Sequence, residues 1–193
     1  MSVSTVHGRV LVRPGSMQSM EPLLLKTNLV SASGIDLLIP ANAVHRFNAF
    51  LFHWWGLEKP SGAAAAYRIL ISTNGASYES AAAYGSVLTG NSATSAAVAT
   101  GFAGATIWQT VGGTFSLATA SGNPSEIFVV LHGAATGLKP HVNYEHYFSN
   151  SASSPSHFIG SGFFASSPAL GLMVDITNAA TGFSGSGAIY GFG

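Results

Sequence analysis

The stretch "SGSGAIYGFG" (residues 184–193) decides how this chain is read. Domain ends are usually polar and loosely held. These ten residues carry no charge, and Ile189, Tyr190 and Phe192 are spaced by glycines. In a strand, successive side chains point to opposite faces. Ala188, Tyr190 and Phe192 then share one face and Ile189 takes the other, while Gly191 leaves room for a neighbouring backbone to approach. The segment reads as a core strand. Its expected partner is "LMVDI" (172–176), reached through a turn at "TNAATG" (177–182).

The same logic extends along the chain and predicts strands almost everywhere. "GIDLLIP" (34–40) reads as the first firm strand, stopped by Pro40. "HRFNAFLFHWWGL" (45–57) is apolar on both faces, with Phe47, Ala49, Leu51 and Trp55 on one and Phe50, Phe52 and Trp54 on the other. Such a strand is expected where both faces are covered, and its aromatic content favours strand over buried helix. "AAYRILIST" (65–73) leads into "NGAS" (74–77), an Asn-Gly hairpin signal, with "YESAAAY" (78–84) returning. "TIWQTV" (106–111) and "TFSLAT" (114–119) are expected to pair across Gly112 and Gly113. "EIFVVLHGA" (126–134), "HVNYEHYFS" (141–149), "HFIGSGFFA" (157–165, with a bulge at its glycines), "ALGLMVDIT" (169–177) and "GSGAIYGF" (185–192) complete the set. Only "SAAVATGFAGA" (95–105) admits a short helix. Short apolar runs punctuated by Gly, Pro, Ser and Thr at these intervals point to an all-β sandwich or barrel. Residues 1–33 stand apart. They hold Arg9, Arg13 and Lys26 with Met17 and Met20, and read as an extended N-terminal arm ordered on assembly, ahead of a body at 34–193.

Composition narrows the function. Only 7% of the 193 residues are charged, against about 25% in an average soluble domain. No Asp, Glu, Lys or Arg lies between Glu79 and Glu126, or after Asp175. The formal net charge is zero, which argues against nucleic acid or an anionic membrane as a general partner. With no cysteine, disulfides and thiolate metal sites are excluded. The most apolar window, "SAAVATGFAGATIWQTVGG" (95–113), is broken by Gly, Thr, Ser and Gln, so no membrane span is expected. Arg9 and Arg13 are followed by "PGSMQSMEP" rather than an apolar run, so Sec export is not expected. A nearly neutral surface promotes association when left bare. Stable assembly with other subunits is the expected outcome.

The order of motifs resembles that of small jelly-roll proteins of tailed-phage particles. The match lies in the aromatic strand at 45–57, then "YRILIST" running into "NGASYESAAAY" with Ser72, Ser77, Tyr78 and Tyr84, and "GLMVDITNAATGFSGSGAIYGFG" (171–193) at the end. It covers 45–84 and 169–193, and it departs from the family pattern at "SGSGAIYGFG", where a β-branched or charged residue is more usual before the final Tyr-Gly. The resemblance implies an antiparallel jelly-roll sandwich and a non-enzymatic virion structural role as capsid decoration, head spike or tail component. It further implies a symmetric homo-oligomer, contacts to capsid or tail proteins, and assembly in the host cytoplasm.

The chemistry-bearing residues give no competing enzyme. His141 and His146 are an odd number apart and face opposite sides of one strand, so they cannot share a metal. A site across strands from His132, Glu145 and His146 stays open beside the reading of packed histidines. The seven carboxylates are scattered, and no pair is selected for glycosidase chemistry. "GSGFF" (160–164) and "SGSGA" (184–188) lack a nucleophile elbow, and "GSVLTGNSA" (85–93) lacks the lysine of a phosphate loop. No catalytic residue, cofactor or metal is expected. "HWW" (53–55) places Trp54 and Trp55 on opposite faces, so one is core and the other a contact. Arg9, Arg13, Met17, Met20, Trp54 and Trp55 are the candidate assembly or ligand contacts. The alternative function is a carbohydrate-binding module for a host cell-surface glycan, with an exposed tryptophan as its platform.

Overall fold

The computed structural model describes residues 20–31, 34–58, 67–78, 84–92, 95–104, 125–135, 137–150, 154–165, 167–176 and 183–193. They form eleven strands, and no helix occurs among the described residues. The strands are β1 (Met20–Ser31), β2 (Ile35–Leu38), β3 (Ala49–Glu58), β4 (Tyr67–Ser72), β5 (Tyr84–Ser92) and β6 (Ser95–Gly104). They continue with β7 (Ser125–His132), β8 (His141–Asn150), β9 (Ser154–Phe164), β10 (Gly171–Ile176) and β11 (Phe183–Phe192). All ladders are antiparallel. An eight-stranded sheet runs β1-β11-β3-β7-β8-β9-β5-β6, and a three-stranded sheet runs β2-β10-β4.

The two sheets share one core. Ile35, Leu37, Ile69, Ile71, Leu172 and Val174 of the small sheet meet Phe50, Phe52, Trp54, Ile127, Val129, Leu131 and Ile189 of the large one. Burying each of these large side chains contributes on the order of 1.5–3 kcal/mol. The Trp54 indole N–H donates to the Ile35 carbonyl at 3.1 Å, so the central aromatic strand is pinned to the opposite sheet. Gly56 sits at φ 61° within a register shift, and Trp54 and Leu57 both point inward across it. A left-handed residue at a bulge favours glycine.

β11 lies between β1 and β3, so this strand is paired along both of its edges. Its glycines face inward. A Cβ on Gly185 would stand 2.7 Å from Leu57 Cδ2 and 3.0 Å from Ile35 Cδ1. On Gly187 it would stand 2.9 Å from Leu37 Cδ1 and 3.1 Å from Trp54 Cδ1. The bare face of β11 is the space into which β2 packs. The expected partner was wrong, because "LMVDI" belongs to β10 and pairs β2 and β4 in the other sheet. A run of small residues can lie against another layer as readily as beside a strand. Gly191 accommodates the Phe47 ring, 2.6 Å from its would-be Cβ, rather than a backbone.

Two other expectations are corrected, and a third lies partly outside the described residues. At "NGAS" the turn itself is described, whereas residues 79–83 of the returning segment expected at 78–84 lie outside the described residues. The Asn74 side-chain oxygen accepts from the backbone N–H groups of Ala76 and Ser77, both at 2.8 Å, which makes a local Asx turn. The next described strand, β5, lies in the other sheet. Residues 95–104 form β6 rather than a helix, paired along β5. The glycines of β9 cause no bulge, since its registers with β5 and β8 run without a shift. The pair expected at 106–119 lies outside the described residues.

The lead-in expected at 1–33 holds β1, which pairs along β11 from Met20↔Phe192 to Ser31↔Phe183. Two ion pairs clamp this strand. Arg46 Nη2 reaches Glu21 Oε2 at 2.9 Å, and Lys26 Nζ reaches Asp36 Oδ2 at 3.2 Å and the Asp36 carbonyl at 3.0 Å. Both pairs are partly exposed and contribute little beyond position. Residues 1–19, including Arg9, Arg13 and Met17, lie outside the described residues. Met20 opens β1 and is half-buried.

The fit of β11 under β2 leads to a direct expectation. Gly187→Val drives methyl groups into Leu37 and Trp54, and overpacking of this kind costs about 1–3 kcal/mol. Denaturant unfolding should show that loss with an unchanged slope. A stability equal to that of the parent would mean that the sheets are not in close contact there.

Candidate interaction face

Alternation in β3, β7, β8 and β9 turns one set of side chains away from the core. Register then places these sets side by side. His53 lies opposite Phe128, Phe128 opposite Glu145, Glu126 opposite Tyr147, and Tyr147 opposite His157. Together with Trp55 they make a continuous row across four strands on the outer face of the large sheet.

The rings stand against one another. His53 stacks on Phe128 with centroids 4.2 Å apart and planes 13° apart. Tyr147 stacks on His157 at 4.3 Å and 5°. Trp55 tilts against His53 at 4.8 Å, and Phe128 meets Tyr147 edge-on at 6.4 Å. The carboxyl groups join the same row. Glu126 Oε1 lies 2.7 Å from His53 Nε2, and Glu145 Oε1 lies 2.7 Å from His157 Nε2. The Tyr147 hydroxyl also donates to Glu145. Each histidine therefore reaches a glutamate on a neighbouring strand, which ties β3 to β7 and β8 to β9. A second stacked pair, His132 and His141 at 4.9 Å, sits at the far end of β7 and β8.

The two tryptophans divide as the alternation predicts. Trp54 is fully buried and Trp55 is half-buried on the outer face beside His53. His141 is exposed while His146 is buried, so these two do face opposite sides. The cross-strand set of His132, Glu145 and His146 is not formed. His146 points into the core, the other two point outward, and His132 and Glu145 lie two opposed residue pairs apart on that face. Among the described residues no group of three or more His, Asp or Glu is placed to hold a metal ion. The sequence put Glu145 and Tyr147 on one face but not beside His157, because only register brings separate strands into line.

Burial decides how the histidines titrate. His146 is enclosed, and desolvation, with a smaller push from His157, holds its imidazole well below the usual value. Burial lowers His53 as well, and outweighs the opposing hydrogen bond and charge of Glu126. His132 is lowered by burial and then by the nearby His141. In the unfolded chain each of these groups titrates near its ordinary value of about 6.5. Below that pH the unfolded state binds protons that the folded state does not, so stability falls on acidification. The thermal midpoint should be level above about pH 7 and drop as the pH falls through about 6.5 toward 5. His146→Leu should reduce the slope by up to one proton, read as the change in unfolding free energy with pH. A midpoint that rises over this range would contradict the assignment.

Comparison with family models, with curated proteins and with solved structures matches the chain to none of them.

Proposed function

We propose that this chain is a non-enzymatic structural protein that works as a symmetric homo-oligomer, a surface component of a phage particle. The observation that carries the assembly reading is the outer face of the large sheet. It presents aromatic rings and aliphatic side chains across β3, β7, β8 and β9, with no Lys or Arg on any of these strands. Its carboxyl groups at Glu126 and Glu145 are already bound by imidazoles of the same face. Extended apolar surface of this kind marks an interaction site.

The topology supports a jelly-roll body. The order β1-β11-β3-β7 faces β2-β10-β4, so strands from the two ends of the chain alternate in both sheets. A jelly roll of eight strands in two sheets, built from Greek keys, interleaves its chain in this way. Strands β8, β9, β5 and β6 extend the larger sheet beyond that frame. The place in a particle comes from the resemblance of 45–84 and 169–193 to phage jelly-roll proteins, and capsid surface, spike and tail all fit it. Trp55, half-buried on the outer face and tilted against His53, supports a second reading, a glycan contact. The stacked neighbours make it a narrow one, because His53, Phe128, Tyr147 and His157 cover each other's faces.

Four measurements test these readings. Light scattering on the purified chain should give a mass of several copies, and a reconstruction of a particle containing it should place those copies about a symmetry axis. A stable monomer at high concentration that is absent from particles would overturn the proposal. Deleting residues 1–19 stops short of β1 and should leave the body folded while lowering incorporation. Normal incorporation of that truncation would remove the anchoring role of the segment. In a glycan-array assay Trp55→Ala should change nothing under the structural reading, whereas binding lost in a folded variant would favour the glycan contact.

A further inference from the structure

We infer that the outer face of β8 and β9, centred on Ile159 and Phe163, is the surface on which a second copy of this chain docks, a placement that rests on the assembly reading above. Ile159 is 55% exposed and Phe163 49% exposed, which is unusual for such large apolar side chains in the middle of a sheet. They lie four residues apart on one strand and so share a face, with exposed Ser161 between them. Phe163 stands opposite His141, and Leu138, 55% exposed, lies in the loop that leads into β8 at the same end. Toward the other end the patch runs into the ring ladder, since Ile159 is opposite Glu145.

The charge pattern selects the occupant. A polyanion finds no Lys or Arg on β3, β7, β8, β9 or β11. A basic partner finds Glu145, the one carboxylate in the sequence of β8 and β9, already engaged by His157 and Tyr147. The surface that complements an apolar face with imidazoles and carboxyls interleaved is another such face, which brings both groups to the contact. The area is of the same order as a stable contact needs. The four strands β3, β7, β8 and β9, of about eight residues each at spacings of ~4.8 Å and ~3.3 Å, give a flat footprint of roughly 500 Å² before side-chain relief is counted. A standard stable interface buries about 800 Å² per partner.

The test is the mass of the purified full-length chain across a dilution series. Ile159→Asp combined with Phe163→Asp should weaken self-association by about a hundred-fold or more, as expected when two central apolar contacts are lost. Leu25→Asp, at an equally exposed apolar position on β1, should assemble as the parent does. Circular dichroism and the thermal midpoint establish that the variants fold, and a labelling experiment needs no destabilising change. The chain has no cysteine, so Ser161→Cys reports on this face and Ala76→Cys on the exposed turn after β4. A bulky maleimide should label Ser161→Cys slowly at high concentration and quickly after dilution, and Ala76→Cys quickly in both. If the parent is oligomeric but the double variant assembles equally well, or Ser161→Cys stays fully reactive, the surface is wrong and the assembly reading stands. A parent that is monomeric at every concentration overturns both.

Discussion

The closeness of β11 to β2 is the constraint on which the rest of the structure depends. Gly185 and Gly187 leave the inner side of β11 bare, and Ile35, Leu37 and Leu57 occupy the space. Trp54 closes the contact by packing over the same strip and donating to the Ile35 carbonyl. Because β11 also lies between β1 and β3, this contact sets the position of the N-terminal strand and of the aromatic strand. A charge-free C-terminal stretch is what such a place demands, since every side chain added there would have to displace a core residue.

The outer face follows from a different balance. Ring contacts of the kind seen from Trp55 to His157 contribute about 0.5–1.5 kcal/mol each beyond burial, and half-exposed ion pairs contribute little. The inner face, with Phe50, Phe52, Trp54, Ile127 and Val129 fully buried, supplies most of the stability of these strands. The outer row is thus spared from holding the fold. Its repeated apolar rings, its two histidine–glutamate ties and its lack of cations suit it to contact rather than to solvation. The histidine below it, His146, couples the same strand to pH chiefly through desolvation, with a smaller contribution from His157.

Much of the strand content was legible because alternation is a local property. In "AFLFHWW" the faces of Phe50, Phe52 and Trp54 against Leu51, His53 and Trp55 could be assigned from parity, and the structure keeps them. Parity likewise separated His141 from His146. It failed where a local signal had two outcomes. Small residues at 95–104 permit helix or strand, and pairing with β5 decided for strand.

From the sequence alone came an all-β body, the division of each strand into two faces, the scarcity of charge and the core character of residues 184–193. Those are consequences of side-chain size, polarity and a period of two, all of which act between neighbours in the chain. Only the tertiary structure decided that the last strand pairs with the first described strand and with β3, that "LMVDI" belongs to the opposite sheet, and that His53, Phe128, Glu145 and His157 come into one row. Register and sheet membership depend on how distant segments fill a common core. No local pattern encodes that choice, because many pairings satisfy the same alternation and only their combined packing separates them.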